Sequence, residues 1–196
     1  MASQGSEITD RRVLRGLRNR EAVVEAVISL IEEGDLNPSA AVIAERAGVS
    51  LRSIYHHFTD LDDVSRAVAD RMFTMVAELY QPIPTDGPFD ERLKAYVKQR
   101  TTLAERSLAM HQASNLAAPS SEAVATRLAF TNDFFRDLTA QVFAIELRAA
   151  APWKLEALDS LTSLDGWVRL RVNQRLSLRK ATAVLKQSIP AILDAP

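Results

Sequence analysis

The stretch "AERAGVSLRSIYHHF", residues 44–58, decides how the rest of the sequence is interpreted. An alanine-rich segment ends at a single glycine, and a serine, an arginine, a tyrosine and two histidines follow within the next two helical turns. Two short helices joined by a tight turn that contains glycine are typical of a helix-turn-helix. We therefore predict a helix on each side of Gly48, which takes a left-handed backbone conformation at the turn.

The remaining side chains of this stretch divide into a core and a polar surface. Small residues at Ala44 and Ala47 let the two helices approach closely, and the core is assigned to Ile43, Val49, Ile54 and Phe58. Arginine pairs with guanine, serine hydroxyls suit bases or phosphates, and a tyrosine reaches a backbone oxygen. We expect DNA contacts from this surface and its surroundings: Arg15, Ser39, Ala41, Ser50, Leu51, Arg52, Ser53, Tyr55, His56 and His57.

The segment "PSAAVIAERAGVSLRSIYHHFTDLDDV", residues 38–64, resembles the N-terminal domain of the TetR family of transcriptional regulators. The family pattern is matched by Ser39, by Ile43 and Ala44, by the run Ala47-Gly48-Val49-Ser50, and by Tyr55 and Phe58. The clear match covers about residues 18–68. Two positions depart from the pattern. Leu61 replaces a common phosphate-binding lysine, and Arg52 replaces a residue that is often small or proline, so one phosphate contact is lost and one base-reading group is gained.

Composition limits the alternatives. The chain has no cysteine, a net charge of −1 and neither an apolar leader nor a long apolar run, so we expect a cytoplasmic protein without disulfides or membrane spans. Because the net charge is close to zero, a general polyanion binder is disfavoured. Any nucleic-acid contact must therefore come from a local patch of charge. Arg11, Arg12, Arg15, Arg18 and Arg20 form such a patch around the first helix. They either contact DNA or form a solvated tail.

Helical spacing recurs along the whole chain and strand signals are nearly absent, which predicts an all-α protein of about nine helices. A three-helix head with its N-terminal arm is assigned to residues 1–60. A helical body for effector binding and dimerisation is assigned to residues 61–196, with helix 61–80 as connector. Further helices are expected near 89–117, divided or bent within, and near 120–149, 153–175 and 177–194. Pro190 is expected to kink the last helix or to end it early.

The body contains the residues that we associate with a small molecule, because a TetR-like protein binds its inducer in this region. The candidates are Phe73, Tyr96, Arg100, Met110, His111, Asn115, Phe134 and Trp153. Aromatic residues with few polar groups are typical of ligand sites, although stripes at helical spacing also form ordinary cores. Arg100 falls on an apolar stripe. It either extends to water, pairs with a carboxylate such as Glu146, or meets an acidic ligand.

The last two helices carry apolar stripes that either pair two copies or close the core of one copy. These stripes are Leu158, Leu161, Leu164 and Trp167, followed by Leu178, Ala181, Leu185, Ile189 and Ile192. The resemblance implies a homodimer that joins these helices in a four-helix bundle. A two-fold axis then lets two heads bind a palindromic operator in double-stranded DNA.

Catalytic and metal-binding signals are absent from the sequence. No common nucleophile, phosphate-loop, dinucleotide or zinc motif occurs, so neither an enzyme nor a cofactor is predicted. His56 and His57 are adjacent and point about 100° apart on a helix, which does not suit one metal ion. The sequence therefore predicts a regulator, by resemblance a repressor that a small molecule releases from DNA. An architectural DNA-binding protein without an inducer, or a C-terminal enzyme with a DNA-binding head, is the alternative.

Overall fold

The computed structural model describes the backbone of residues 3–195 and the side chains of residues 13–195. Within that range the chain forms ten α-helices and no strand, so the all-α prediction is confirmed. The helices are α1 (Ser3–Glu32), α2 (Ala40–Ala47), α3 (Leu51–His57), α4 (Leu61–Leu79), α5 (Phe89–Ala117), α6 (Glu122–Val142), α7 (Ala144–Leu147), α8 (Trp153–Thr162), α9 (Leu164–Val168) and α10 (Leu178–Asp194). A 3-10 turn at Ala118–Ser120 precedes α6, and a π-helical segment, Arg169–Asn173, continues α9.

The chain folds into two compact units, and each is discontinuous in sequence. The first comprises Met1–Met75 and Gln112–Ala125, and the second comprises Val76–His111 and Thr126–Pro196. Helices α4 and α5 therefore contribute residues to both units.

The first unit contains the predicted helix-turn-helix, and its turn has a defined hydrogen-bonding pattern. The Ser39 side chain accepts a hydrogen bond from the amide of Val42 and caps α2. Gly48 ends that helix at φ +66°, so its predicted left-handed conformation is confirmed. The amides of Gly48 and Val49 donate to Glu45 and Ala44, which is the Schellman arrangement of a helix C-terminus. Helix α2 is thereby closed two residues before Ser50 caps α3.

The core of the first unit is built on α1, which packs against both α2 and α3. The buried residues of these helices and of α4 are Val23, Val24, Ala26, Val27, Ile28, Leu30, Ile31, Ile43, Ala44, Ile54, Phe58, Val64 and Val68. Helix α3 has only seven residues, too few to be stable alone in water. Its position therefore depends on the burial of Ile54 and Phe58 against this core.

The second unit has one apolar core, and α10 contributes a full stripe to it. Ala181, Leu185 and Ile189 are each at most 1% exposed and pack with Tyr96, Phe143 and Leu158. Eight of the nine residues of the predicted stripes pack in this core, so their assignment to a dimer interface is wrong, whereas Leu178 is 47% exposed. The homodimer itself stays a prediction. An amphipathic stripe records only that a face is buried, and the sequence does not reveal which chain covers it.

Two helices that were predicted to be continuous, near 120–149 and 153–175, are each divided. Helix α6 ends at Val142, whose carbonyl accepts a hydrogen bond from Arg92 Nη1 on α5. Helix α8 ends at Thr162, and the next residue, Ser163, begins α9 by accepting a hydrogen bond from the amide of Gly166 at 2.9 Å. Each break therefore has a polar partner at its end.

Neither a division of the helix near 89–117 nor an early end of the last helix occurs. The alternatives, a bend in the first and a kink at Pro190, stay predictions. Helix α5 is continuous over Phe89–Ala117, which agrees with the lack of glycine and proline between those residues. Helix α10 continues past Pro190 to Asp194. The last helix is therefore not ended early by its proline.

Glu105 on α5 holds the π-helical segment in place. Its carboxylate accepts hydrogen bonds from Trp167 Nε1 at 2.7 Å and from Arg171 Nε at 2.7 Å. The hydrogen bond from the Arg171 guanidinium holds the pKa of this carboxyl below its ordinary value of 4.5. Glu105 thus joins α5 to the region where α9 changes to π-helical geometry.

Replacing Gly166 with alanine should destabilise the protein, whereas the same change at Gly16 should not. A Cβ at Gly166 would lie 2.6 Å from the Ser160 carbonyl oxygen and 2.7 Å from that of Leu161. At Gly16 the nearest atom would be His57 Cε1 at 3.4 Å, an ordinary contact. Urea unfolding should show a loss of about 1–3 kcal/mol for Gly166→Ala. Gly16→Ala should gain about 0.5–1 kcal/mol, and equal effects would refute the crowding argument.

The Glu105 hydrogen bonds should make stability depend on pH in the acid range. Because the folded-state pKa is lower than the unfolded-state value, the contribution is present above pH 4.5 and is lost as the pH falls through the folded-state pKa. Glu105→Gln should lower the free energy of unfolding at neutral pH and flatten its decline in acid. Glu91→Gln, at an exposed position of the same helix, is the control and should retain the wild-type slope in urea titrations.

Candidate functional site

The exposed face of α3 carries four of the ten residues predicted to contact DNA. Leu51, Arg52, Tyr55 and His56 are exposed, with Leu51 at 45% and Tyr55 at 52%. The residue between them that faces inward, Ile54, is fully buried. The helix therefore presents a mixed surface of one guanidinium, one phenol, one imidazole and one apolar side chain.

The predicted serines and the second histidine have structural partners. Ser39 and Ser50 cap α2 and α3 by accepting backbone hydrogen bonds, which leaves each hydroxyl proton available as a donor. Ser53 and His57 are half-buried. A Cβ built at Gly16 on α1 would lie 3.4 Å from the His57 ring, so that ring lies beside α1. Of the remaining predicted residues, Arg15 and Ala41 are exposed.

Arg20 is directed into the first unit, which separates it from the other arginines of the predicted basic patch. Its Nη1 donates to the carbonyl of His57 at 2.9 Å, and its guanidinium lies 4.2 Å from the centroid of the Phe58 ring. Its Nη2 lies 3.8 Å from Asp63 Oδ1. Arg15 and Arg18 are exposed, whereas the side chains of Arg11 and Arg12 lie outside the described residues. Arg20 therefore holds the end of α3.

A second contact fixes α2 against α1. Arg46 donates two hydrogen bonds of 2.7 Å to the two oxygens of Glu33, and a third of 2.8 Å to Ser29. The hydrogen bonds from Arg46 hold the pKa of the Glu33 carboxyl below its usual range. Bidentate pairing restricts orientation as well as distance. Both helices of the helix-turn-helix are thus fixed to α1 by an arginine.

The second unit contains a buried cluster of hydroxyl groups around Tyr96. The Tyr96 phenol oxygen lies 2.6 Å from Thr139 Oγ1 and 2.9 Å from Thr162 Oγ1. Each threonine hydroxyl also donates to the backbone carbonyl four residues earlier, at 2.8 Å. All three residues are at most 5% exposed. We name Tyr96, Thr139 and Thr162 the hydroxyl cluster.

Arg100 lies next to the hydroxyl cluster. It is 3% exposed, its Nη2 donates to the Thr162 carbonyl, and its guanidinium lies 3.8 Å from the centroid of the Phe135 ring. Both alternatives that placed it in water or on Glu146 are therefore wrong. Glu146 instead pairs with Arg92, which is eight residues earlier on α5 and hence about 12 Å along the helix axis. One carboxylate cannot reach both positions.

The other ligand candidates are divided between the two units and between buried and exposed positions. Phe73 and Asn115 belong to the first unit, and both are exposed. Phe134 and Trp153 belong to the second unit but are 42% and 46% exposed. Met110 and His111 are buried, and His111 Nε2 lies 2.7 Å from Asp165 Oδ1. Tyr96 and Arg100 share a partner, Thr162.

Sequence reasoning missed Thr139, Thr162 and Gln99 as buried polar residues. Thr139 interrupts the apolar stripe of α6 that includes Phe135 and Val142, and that interruption is a signal that the sequence does offer. Gln99 Oε1 accepts a hydrogen bond from the amide of Gln81 at 2.9 Å, a partner that no sequence pattern indicates.

The described part of the chain has neither a membrane-spanning helix nor a metal-binding cluster. No helix among those residues combines the length and apolarity needed to cross a bilayer. No group of three or more histidine, aspartate or glutamate side chains there is arranged to hold a metal ion.

Truncating Arg20 should loosen α3, whereas truncating a neighbouring exposed arginine should not. Arg20→Ala removes the hydrogen bond to His57 and the contact with Phe58, and should cost about 1–2 kcal/mol of stability. Arg18→Ala removes the same charge from an exposed position and should stay within about 0.5 kcal/mol of wild type. Hydrogen exchange of the α3 amides should accelerate only in Arg20→Ala. Unchanged exchange would remove the role assigned to Arg20.

Comparison with known proteins places this arrangement in a fold seen before. No protein-family model matches the chain, and no curated protein matches it in sequence. Among solved structures, a protein of Pseudomonas aeruginosa PAO1 provisionally described as a transcriptional regulator matches with a TM-score of 0.64 and 22% identity, over 90% of each chain. A transcriptional regulator of Rhodococcus sp. Rha1 matches with 0.63 and 20%, over 89% of this chain and 95% of its own. The multidrug-binding protein EbrR, in complex with imidazole, matches with 0.58 and 18%, over 91% and 94%. At these identities the likeness establishes a shared fold with transcriptional regulators.

Proposed function

We propose that the chain is a TetR-type transcriptional regulator that binds operator DNA as a homodimer and is released by a small molecule. The observation that carries the proposal is the geometry of α3. Arg52 and Tyr55 are exposed on a short helix whose opposite side is buried through Ile54 and Phe58. A rigidly mounted helix with exposed polar side chains suits insertion into a major groove.

The attachment of α3 supports a role that depends on precise placement. Gly48 turns the chain between α2 and α3, while Arg20 and Arg46 fix the two helices to α1. Base recognition requires hydrogen-bond donors to be held in a defined register along the groove. Arg52 is the side chain proposed to bind guanine, because its guanidinium is exposed and can donate two parallel hydrogen bonds.

The homodimer remains part of the proposal, with a changed interface. Since the core of the second unit covers Ala181, Leu185 and Ile189, the pairing of two copies is assigned to other faces of the last two helices. Leu178 and Val172 are exposed apolar residues on and before α10. A two-fold axis would present two α3 helices to half-sites about one helical turn of DNA apart.

Ligand release is proposed as a shift between two populations. A ligand bound in the second unit would favour a state whose heads are spaced wrongly for adjacent major grooves, and DNA would oppose ligand by the same coupling energy of about 1–3 kcal/mol. Helix α4 has residues in both units, which supports its role as the connector. The description of EbrR as a multidrug-binding protein supports a ligand for this fold.

Arg52→Ala should weaken DNA binding and relax the preference at one base pair. An electrophoretic mobility shift screen with DNA flanking the protein's own gene identifies the operator, and titration of single-base variants follows. Loss of a bidentate contact to guanine should cost about 1–3 kcal/mol on the operator and much less on DNA with that base changed. Arg169→Ala, which removes an exposed charge from the second unit, is the control and should bind as wild type.

Three results would contradict parts of this proposal. A uniform loss over all sequences would assign Arg52 to phosphate. Absence of any sequence preference together with cooperative coating of DNA would favour the architectural alternative. An operator affinity that stays unchanged when a bound ligand saturates the protein would remove the release mechanism.

A further inference from the structure

Cationic side chains from one helix reach the carbonyls at the end of another at several places in the described chain. Arg20 donates to His57 and Arg92 to Val142, and Arg171 of the π-helical segment donates to Leu176 in the loop before α10. Each of these arginines also has a carboxylate within 4 Å, namely Asp63, Glu146 and Glu105 respectively. In this chain, then, the charge of such an arginine is balanced by an acid as well as by a carbonyl.

Arg100 has the carbonyl but lacks the acid. Its Nη2 donates to Thr162 at the end of α8, whereas its Nε and Nη1 are buried without a hydrogen-bond partner. No carboxylate of the described residues forms an ion pair with it. Burial lowers the pKa of this guanidinium, which reflects the cost of removing the charge from water. Burying a cation without an anionic partner costs free energy. An anionic ligand bound at Arg100 would supply the missing partner.

The acid that acts on Arg100 electrostatically already has another partner. Asp159 acts on Arg100 electrostatically, but its carboxylate lies 3.4 Å from Arg136 Nη1. Arg136 also pairs with Glu156 at 2.6 Å, so this network is complete without Arg100. Arg100 would gain Asp159 only if that network were broken.

The surroundings of Arg100 restrict the rest of the ligand. The hydroxyl cluster has three hydroxyl protons and forms four close oxygen–oxygen contacts. No hydroxyl proton of the cluster is therefore left to donate to a ligand. Phe135 lies under the guanidinium, and it belongs to the same apolar core as the fully buried Val97 and Leu158. The donors that remain for a ligand here are those of Arg100 itself.

We propose that the effector of this protein is a small organic acid with one carboxylate on an otherwise apolar body, and that Arg100 binds the carboxylate end-on, through Nη1 and the second N–H of Nη2. The inference rests on the proposed function, because it names the chemical class of that ligand. A guanidinium donates two parallel hydrogen bonds to a carboxylate, which fixes its orientation as well as its charge.

Matched pairs of acids and alcohols test the charge requirement in the full-length protein. Octanoate is compared with octanol, and 4-phenylbutyrate with 4-phenylbutanol, by thermal shift and by isothermal titration calorimetry. At least one carboxylate should raise the melting temperature, and its alcohol should bind at least ~10-fold more weakly. No binding by either carboxylate, or equal binding by acid and alcohol, would overturn the proposal.

Variants at position 100 assign the effect to one side chain. Arg100→Met keeps the length and removes the charge, so it should lose at least ~10-fold in affinity for the carboxylate. Arg100→Lys should retain part of that affinity. Arg106→Met, which removes an exposed charge from the same helix, should bind as wild type. Carboxylate affinity that survives in Arg100→Met would refute the assignment.

The stability of the ligand-free variants provides a second readout. If Arg100 is unbalanced without ligand, Arg100→Met should raise the melting temperature. If Asp159 serves as its partner after all, Arg100→Met and Asp159→Asn should both lower it and should not be additive, and that result would overturn the proposal. Operator affinity measured without ligand reports separately on the regulator function. Failure of the carboxylate arm with intact DNA binding would thus reject the ligand class alone.

Discussion

The structure depends on how the carbonyls at the ends of its helices are satisfied. The last carbonyls of a helix have no intrahelical donor, and burying them unpaired costs free energy. Here the donors are long cationic side chains from neighbouring helices, as with Arg92 on Val142 and Lys154 Nζ on Leu193 at 2.9 Å. Apolar contacts are non-directional, so they hold helices together without fixing where each one ends. The arginines and the lysine supply that directional information.

This principle explains which parts of the fold were predictable from sequence. The left-handed turn at Gly48 depends on residues within a few positions, so the local pattern predicted it. The end of α6 depends on Arg92, fifty positions away from Val142. The spacing of apolar residues along a helix does not identify partners that are far away in the sequence.

The two candidate sites differ in the same way: the exposed face of α3 depends on a local sequence pattern, and the surroundings of Arg100 depend on long-range contacts. The exposed face of α3 followed from the helix-turn-helix pattern, because burial of Ile54 and Phe58 dictates which side remains free. The ligand candidates followed mainly from resemblance, and of these Tyr96 and Arg100 share Thr162 as a partner. The pairing of Glu146 with Arg92 rather than Arg100 decided the surroundings of the buried cation. Competition between two arginines for one acid requires coordinates, since both lie on the same helix.

The discontinuity of the first unit limits how such a protein can be recombined. Residues Gln112–Ala125 belong with Met1–Met75, although they are separated from them by thirty-six positions of the second unit. A hybrid made by a single crossover after the third helix would carry a foreign version of that inserted piece. Under the proposed function, DNA specificity is therefore best exchanged between proteins of this architecture by surface substitutions on α3. The alternative is a graft that moves both segments of the first unit together.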